Sequence, residues 1–120
     1  MKILAIDDNV DITELLSMTL NAMGHELSFT NSGKEGVELL GANKYDAVLL
    51  DLAMPGFSGA DVLEKVETMG NLKDFNIILF TASSIGDTEI DSFLKKGVHG
   101  IIRKPIEVDD LEKEISRLTS

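Results

Sequence analysis

Four short, unbroken apolar runs constrain this chain more than any other feature: Ile3 to Ile6, Val48 to Leu50, Ile77 to Phe80, and Ile101-Ile102. None alternates apolar with polar residues, so each reads as a strand covered on both faces, the pattern of a parallel sheet between two helical layers. Leu27 and Phe29 do alternate with polar neighbours, which makes His25 to Thr30 a fifth strand with one face less buried, near a sheet edge. Between the strands the period lengthens to that of a helix. Ile12, Leu15, Leu16, Leu20 and Met23 form one stripe, Val62, Leu63, Val66 and Met69 another, and Val108, Leu111, Ile115 and Leu118 a third. Val37 with Leu40, and Ile90 with Phe93 and Leu94, mark two shorter helices. Met18, Met23 and Met69 are expected in helix cores. Five strands alternating with five helices require right-handed crossovers and, in 120 residues, one three-layer open sheet. Residues 1–120 are thus expected to be a single domain, without repeat, linker or low-complexity tract.

Composition narrows the chemistry. The chain has no cysteine, which removes disulfides, thiol nucleophiles and thiolate metal sites. Lys+Arg 11 against Asp+Glu 21 leaves a formal charge of -10, which repels phosphate backbones and anionic lipid. Direct nucleic-acid and membrane binding are therefore not expected. Asp7-Asp8 interrupts the first apolar run too early for a signal peptide or membrane span, and a cytoplasmic protein is expected.

In an open α/β sheet, ligands bind beyond the carboxyl ends of the strands, where the strand order reverses. Strand one ends in Asp7-Asp8, strand three in Asp51, strand four in Thr81 and strand five in Lys104; strand two ends in the plainer Thr30-Asn31. With strand two at the edge, strands one and three flank the switch point and Asp7, Asp8 and Asp51 converge. Two like charges 4 Å apart cost about 4 kcal/mol at an effective dielectric near 20, so such a site calls for a divalent cation or a raised pKa. All-oxygen ligation describes Mg2+. A metal, the Lys104 ammonium and the Thr81 hydroxyl are the parts that neutralise a transferring phosphoryl group, and a carboxylate serves as nucleophile in aspartyl-phosphate chemistry. Asp51 is the expected acceptor, Asp7 and Asp8 the metal holders.

The ordered set of Asp7-Asp8, Asp51-Leu52-Ala53-Met54-Pro55 with Gly59 beyond, Thr81-Ala82 and Lys104-Pro105 resembles the receiver domains of two-component response regulators over the whole chain, the stand-alone chemotaxis (CheY-like) type most closely in length. The resemblance implies a flavodoxin-like, doubly wound five-stranded sheet of order 2-1-3-4-5; that order is itself an instance of the switch-point rule, so the two expectations are not independent. It implies that Asp51 takes a phosphoryl group from a histidine kinase, a phosphotransfer protein or a small donor such as acetyl phosphate. It further implies Mg2+ held by Asp8 and Asp51 directly, by the backbone carbonyl of Ala53 and by Asp7 through water, with Thr81 and Lys104 on the phosphoryl oxygens. A cis Lys104-Pro105 bond is implied too. Output to a downstream protein target would use helix four, strand five and helix five, which offer Lys95, Lys96, Arg103, Lys113 and Arg117 amid acidic neighbours. A monomer or weak dimer that promotes its own phosphorylation and dephosphorylation, and turns over no external substrate, is the expectation.

Three positions depart from the family pattern or refine it. Strand five usually carries an aromatic switch residue three positions before its lysine, and here Ile101 stands there, branched at Cβ and stiff about χ1. Ala53 and Ser83 occupy rim positions that modulate water attack on the acyl phosphate, and neither offers a long polar arm. Three rival functions have signatures to compare. A haloacid-dehalogenase-type phosphatase should show Asp-x-Asp, which Asp51-Leu52-Ala53 lacks; a flavin carrier is opposed by the acidic pair after strand one; a receiver cut from a longer, for example DNA-binding, regulator has the same sequence signature.

Overall fold

The computed structural model describes residues 1–82 and 84–119. Its strands are β1 (Lys2–Ile6), β2 (Glu26–Thr30), β3 (Ala47–Asp51), β4 (Ile77–Thr81) and β5 (Gly100–Arg103). The helices between and after them are α1 (Val10–Ala22), α2 (Gly33–Ala42), α3 (Gly59–Glu67), α4 (Asp87–Lys96) and α5 (Val108–Thr119), and a 3-10 turn at Leu72–Phe75 precedes β4. All strand pairings are parallel, in the order β2-β1-β3-β4-β5. The chain reverses direction of winding between β1 and β3, and the expected topology holds.

Alternation along each strand splits the core in two. Ile3 and Ala5 of β1, Ala47 and Leu49 of β3, and Ile78 and Phe80 of β4 pack with Leu16 and Leu20 of α1 and Leu111 and Ile115 of α5. Leu4 and Ile6, Val48 and Leu50, and Ile77 and Leu79 point the other way, onto Leu40 of α2, Val62, Leu63 and Val66 of α3 and Phe93 of α4. The central strands are fully buried, which is why their sequences read as continuous apolar runs. On the edge strand β2, Phe29 is left largely exposed.

The methionine expectation fails at two of its three positions. Met18 is 75% exposed and Met69 41%, while Met23 is half-buried. The buried stripe of α1 runs through Thr13, Leu16 and Leu20, and Met18, two residues from Leu16, is turned about 200° away from it. Met69 follows the end of α3, whose C-cap is Thr68, so the apolar period outlasts the helix by two residues.

The β3–α3 connection is built tightly under the site. Ser58 caps α3 in a capping box with Asp61, and Gly59 opens the helix against the end of β3. A Cβ on Gly59 would stand 2.5 Å from the carbonyl oxygen of Asp51 and 2.6 Å from Cα of Leu52, both backbone atoms. Gly59→Ala is therefore expected to lower stability by about 2 kcal/mol, the scale of core overpacking, through displacement of β3 or α3. Urea unfolding checks this, and an unchanged midpoint would refute the close approach.

Candidate functional site

Each predicted side chain arrives at the carboxyl edge of the sheet because its strand ends there. Asp7 directly follows β1 and is fully buried; Asp8, next in the chain, is exposed. Asn9 caps α1, its side chain accepting from the amides of Asp11 and Ile12, while its own amide donates to Oδ1 of Asp7 at 2.9 Å. Asp51 is the last residue of β3 and is 1% exposed; the amide of Ala53 donates to its Oδ1 at 3.2 Å. The Lys104 amide donates to the carbonyl oxygen of Thr81 at 2.7 Å, which carries the β4–β5 pairing one step further. The Lys104 side chain crosses to Oδ1 of Asp51 at 3.2 Å and lies 3.7 Å from Oδ2 of Asp7.

Carboxylate oxygens of Asp7, Asp8 and Asp51 lie within 4.8 Å of one another, and no other such trio of potential metal ligands forms among the described residues. One ammonium faces three carboxylates. Burial is the main reason that the Asp7 carboxyl is raised from 3.8 to about 6. The Asn9 amide and the Lys104 ammonium oppose the shift, and the like charge of Asp51 adds to it. Oδ2 of Asp7 is buried without a hydrogen-bond partner among the described residues. An orphaned, buried carboxylate oxygen beside two further carboxylates is a donor set of the hard, all-oxygen kind that suits Mg2+. The residues present fit that ion.

Thr81, the last residue of β4, is fully buried, and its Oγ1 also lacks a partner among the described residues. A buried hydroxyl left unpaired costs about 1–3 kcal/mol, so this one is placed to gain from an acceptor brought to the site. Ala53 is exposed on the rim, two residues beyond Asp51. Ile101 is half-buried and packs against the core beneath α4. The Lys104-Pro105 bond is cis, as expected. The expectation for Ser83 lies outside the described residues. Asp7, Asp8, Asp51 and Lys104 are thus brought into one cluster, with Thr81 and Ala53 at the neighbouring strand ends and Ile101, half-buried, packed against the core.

Asn31, a plain strand end by sequence, also reaches the site. Its side-chain amide donates to the backbone carbonyl of Asp7 at 2.8 Å and to Oγ1 of Thr13 at 3.2 Å. The signal was its position: β2 neighbours β1, and the residue after β2 reaches the same edge as the residue after β1.

Comparison with known proteins agrees with this geometry. Residues 3–116 match the response regulator receiver domain family. Chemotaxis protein CheY1 of Helicobacter pylori is 32% identical, the alignment covering 96% of this chain and 94% of that protein. Sensor histidine kinase AtsR of Burkholderia thailandensis is 33% identical over 98% of this chain, which spans only 19% of the kinase's length. Of the solved structures, the response regulator TrrA of Thermotoga maritima, in complex with Mg(2+)-BeF, superposes with a TM-score of 0.83 at 32% identity, over 98% of this chain and 97% of that one.

Proposed function

This chain belongs to the response regulator receiver domain family, whose members act in phosphorylation-based two-component signalling, and on that premise we propose that it is a switch that stores a phosphoryl group on Asp51. The observation that carries the proposal is the convergence of Asp7, Asp8 and Asp51 with the Lys104 ammonium 3.2 Å from the central carboxylate. An oxygen of Asp51 forms the new O–P bond as the donor's bond to phosphorus breaks, P–N in a phosphohistidine or P–O in an acyl phosphate. The bonding pair departs with the imidazole or the carboxylate.

Asp7, Asp8 and Asp51, with the Ala53 carbonyl, are the groups that would hold Mg2+, which when bound neutralises their charge and polarises the phosphoryl oxygens. Lys104 and Thr81 would donate to those oxygens once the group is transferred. Charge-assisted hydrogen bonds contribute about 1.5–3 kcal/mol each, so the pair supplies a sizeable part of the roughly 5.5 kcal/mol that inverts a 1:99 equilibrium. With Ile101 in place of a ring, the change passes to the α4–β5–α5 face through packing and backbone shifts rather than a large rotamer swing. Ile101→Ala is expected to weaken phosphorylation-dependent capture of a downstream protein; equal affinity in both states would remove this position from the coupling.

We read residues 1–120 as one such domain, cytoplasmic, monomeric or weakly dimeric, served by a sensor kinase or phosphotransfer protein and read out by a protein target. Among the described residues no helix is long and apolar enough to cross a membrane. With only a methyl group at the exposed Ala53, self-dephosphorylation receives no strong help from that side of the rim, and no external substrate is turned over. The test is incubation with acetyl phosphate with and without Mg2+. A magnesium-dependent, hydroxylamine-labile label is expected; steady hydrolysis of phosphate esters would instead favour a phosphatase.

A further inference from the structure

The two metal-holding acids ride on the β1–α1 turn, which the Asn9 amide braces locally through Oδ1 of Asp7. Asp7 is held in its backbone from one side only, by β2 and the residue after it. Its amide donates to the carbonyl of Thr30 at 3.2 Å, the last step of the β1–β2 ladder. Its carbonyl would need a further strand residue to pair with, but β2 stops at Thr30. The Asn31 side-chain amide donates to that carbonyl instead, at 2.8 Å, standing in for the missing backbone donor. The same nitrogen reaches Oγ1 of Thr13 at 3.2 Å, and the fully buried Thr13 hydroxyl donates to the carbonyl of Val10 at 3.0 Å, in the first turn of α1. One side chain thereby ties the end of β1, the start of α1 and the β2–α2 connection. Asp8 lies within the tied segment, and Asn31 lines a shallow cleft together with it.

We infer that Asn31 is a positioning residue for the Asp7-Asp8 pair, setting the backbone from which both carboxylates reach the cation. The inference rests on the proposed Mg2+ site. It acts through Asp7 and not by contact with the ion, since the Asn31 amide bonds the carbonyl and not the carboxylate. Partners of ligand groups commonly change metal affinity by 10–100-fold, and a partner acting one bond further away belongs at the lower end.

The test measures Mg2+ affinity by titration calorimetry at a temperature where every variant is folded, beside hydrogen exchange at the Asn9 amide in metal-free protein. Asn31→Ala is expected to weaken Mg2+ binding about tenfold and to speed Asn9 exchange, because that amide bonds Oδ1 of Asp7. Thr13→Val, which removes one of the two acceptors and keeps the shape, is expected to give a smaller loss, about twofold. Asn43→Ala, whose side-chain amide donates to the Leu39 carbonyl at the end of α2, serves as control and should leave both readings unchanged. Binding by wild type and Asn31→Ala within twofold of each other would overturn the positioning role while leaving the metal site intact. Absence of Mg2+ binding in the wild type would overturn the metal reading, and this inference with it.

Discussion

Asp51→Asn is expected to take up no phosphoryl label from acetyl phosphate, a fall of at least about a hundredfold in initial rate. The amide keeps the shape and the oxygen that accepts from the Ala53 amide, but its carbonyl oxygen lacks the charge to displace a leaving group from phosphorus. The fold should survive, because Asp51 contributes no apolar packing and the substitution relieves repulsion with the buried Asp7. Intact-mass measurement of wild type and variant, followed by peptide mapping, checks the result. Labelling of the variant at an undiminished rate, or mapping of the group to Asp7 or Asp8 in the wild type, would sink the assignment of Asp51 as acceptor.

Asp7→Asn should stabilise the metal-free protein at neutral pH. A carboxyl whose folded value is about 6 against an ordinary 3.8 resists ionisation on folding, at a cost of roughly 3 kcal/mol above pH 6. Below 3.8 both folded and unfolded states carry the proton and the cost vanishes; it grows as pH rises through the window between the two values. The groups facing Asp7 are Asp51, which raises the cost, and Lys104 and the Asn9 amide, which lower it. Asparagine keeps an oxygen for the Asn9 amide and removes the charge. In chelator, the variant should melt about 10 °C above wild type near neutral pH, and the two should converge at low pH. Added Mg2+ should favour the wild type, whose binding stabilises only the folded state, and narrow the gap. A variant less stable than wild type in chelator at neutral pH would show that the acidic cluster is not frustrated.

The outcome for α1 shows where sequence patterning reaches its limit. Leu16 and Leu20 are buried where the helical period puts them, but Leu15, on the margin of the same stripe, is 45% exposed, and Met18 stands on the far side. Apolar character marks a residue as able to be buried, while only the neighbouring layer decides how wide a stripe it covers. The strand runs carry no such ambiguity, since β3 and β4 are enclosed on both faces and every residue in them is buried.

Chain order and residue type alone settled that five strands, four of them covered on both faces, would alternate with helices, and that acids, a hydroxyl and a lysine would close those four. A buried parallel sheet admits few other sequences, and its switch point has one place for a ligand. What lay beyond the sequence was set by contacts between distant segments. The Lys104 ammonium lies nearer Asp51 than Asp7, the Asp7 carboxyl is raised by burial, and Asn31 completes a ladder its own strand leaves unfinished. Periodicity reports which face a residue prefers, but distances of a few ångströms, and the energies that follow from them, exist only after the strands are laid side by side.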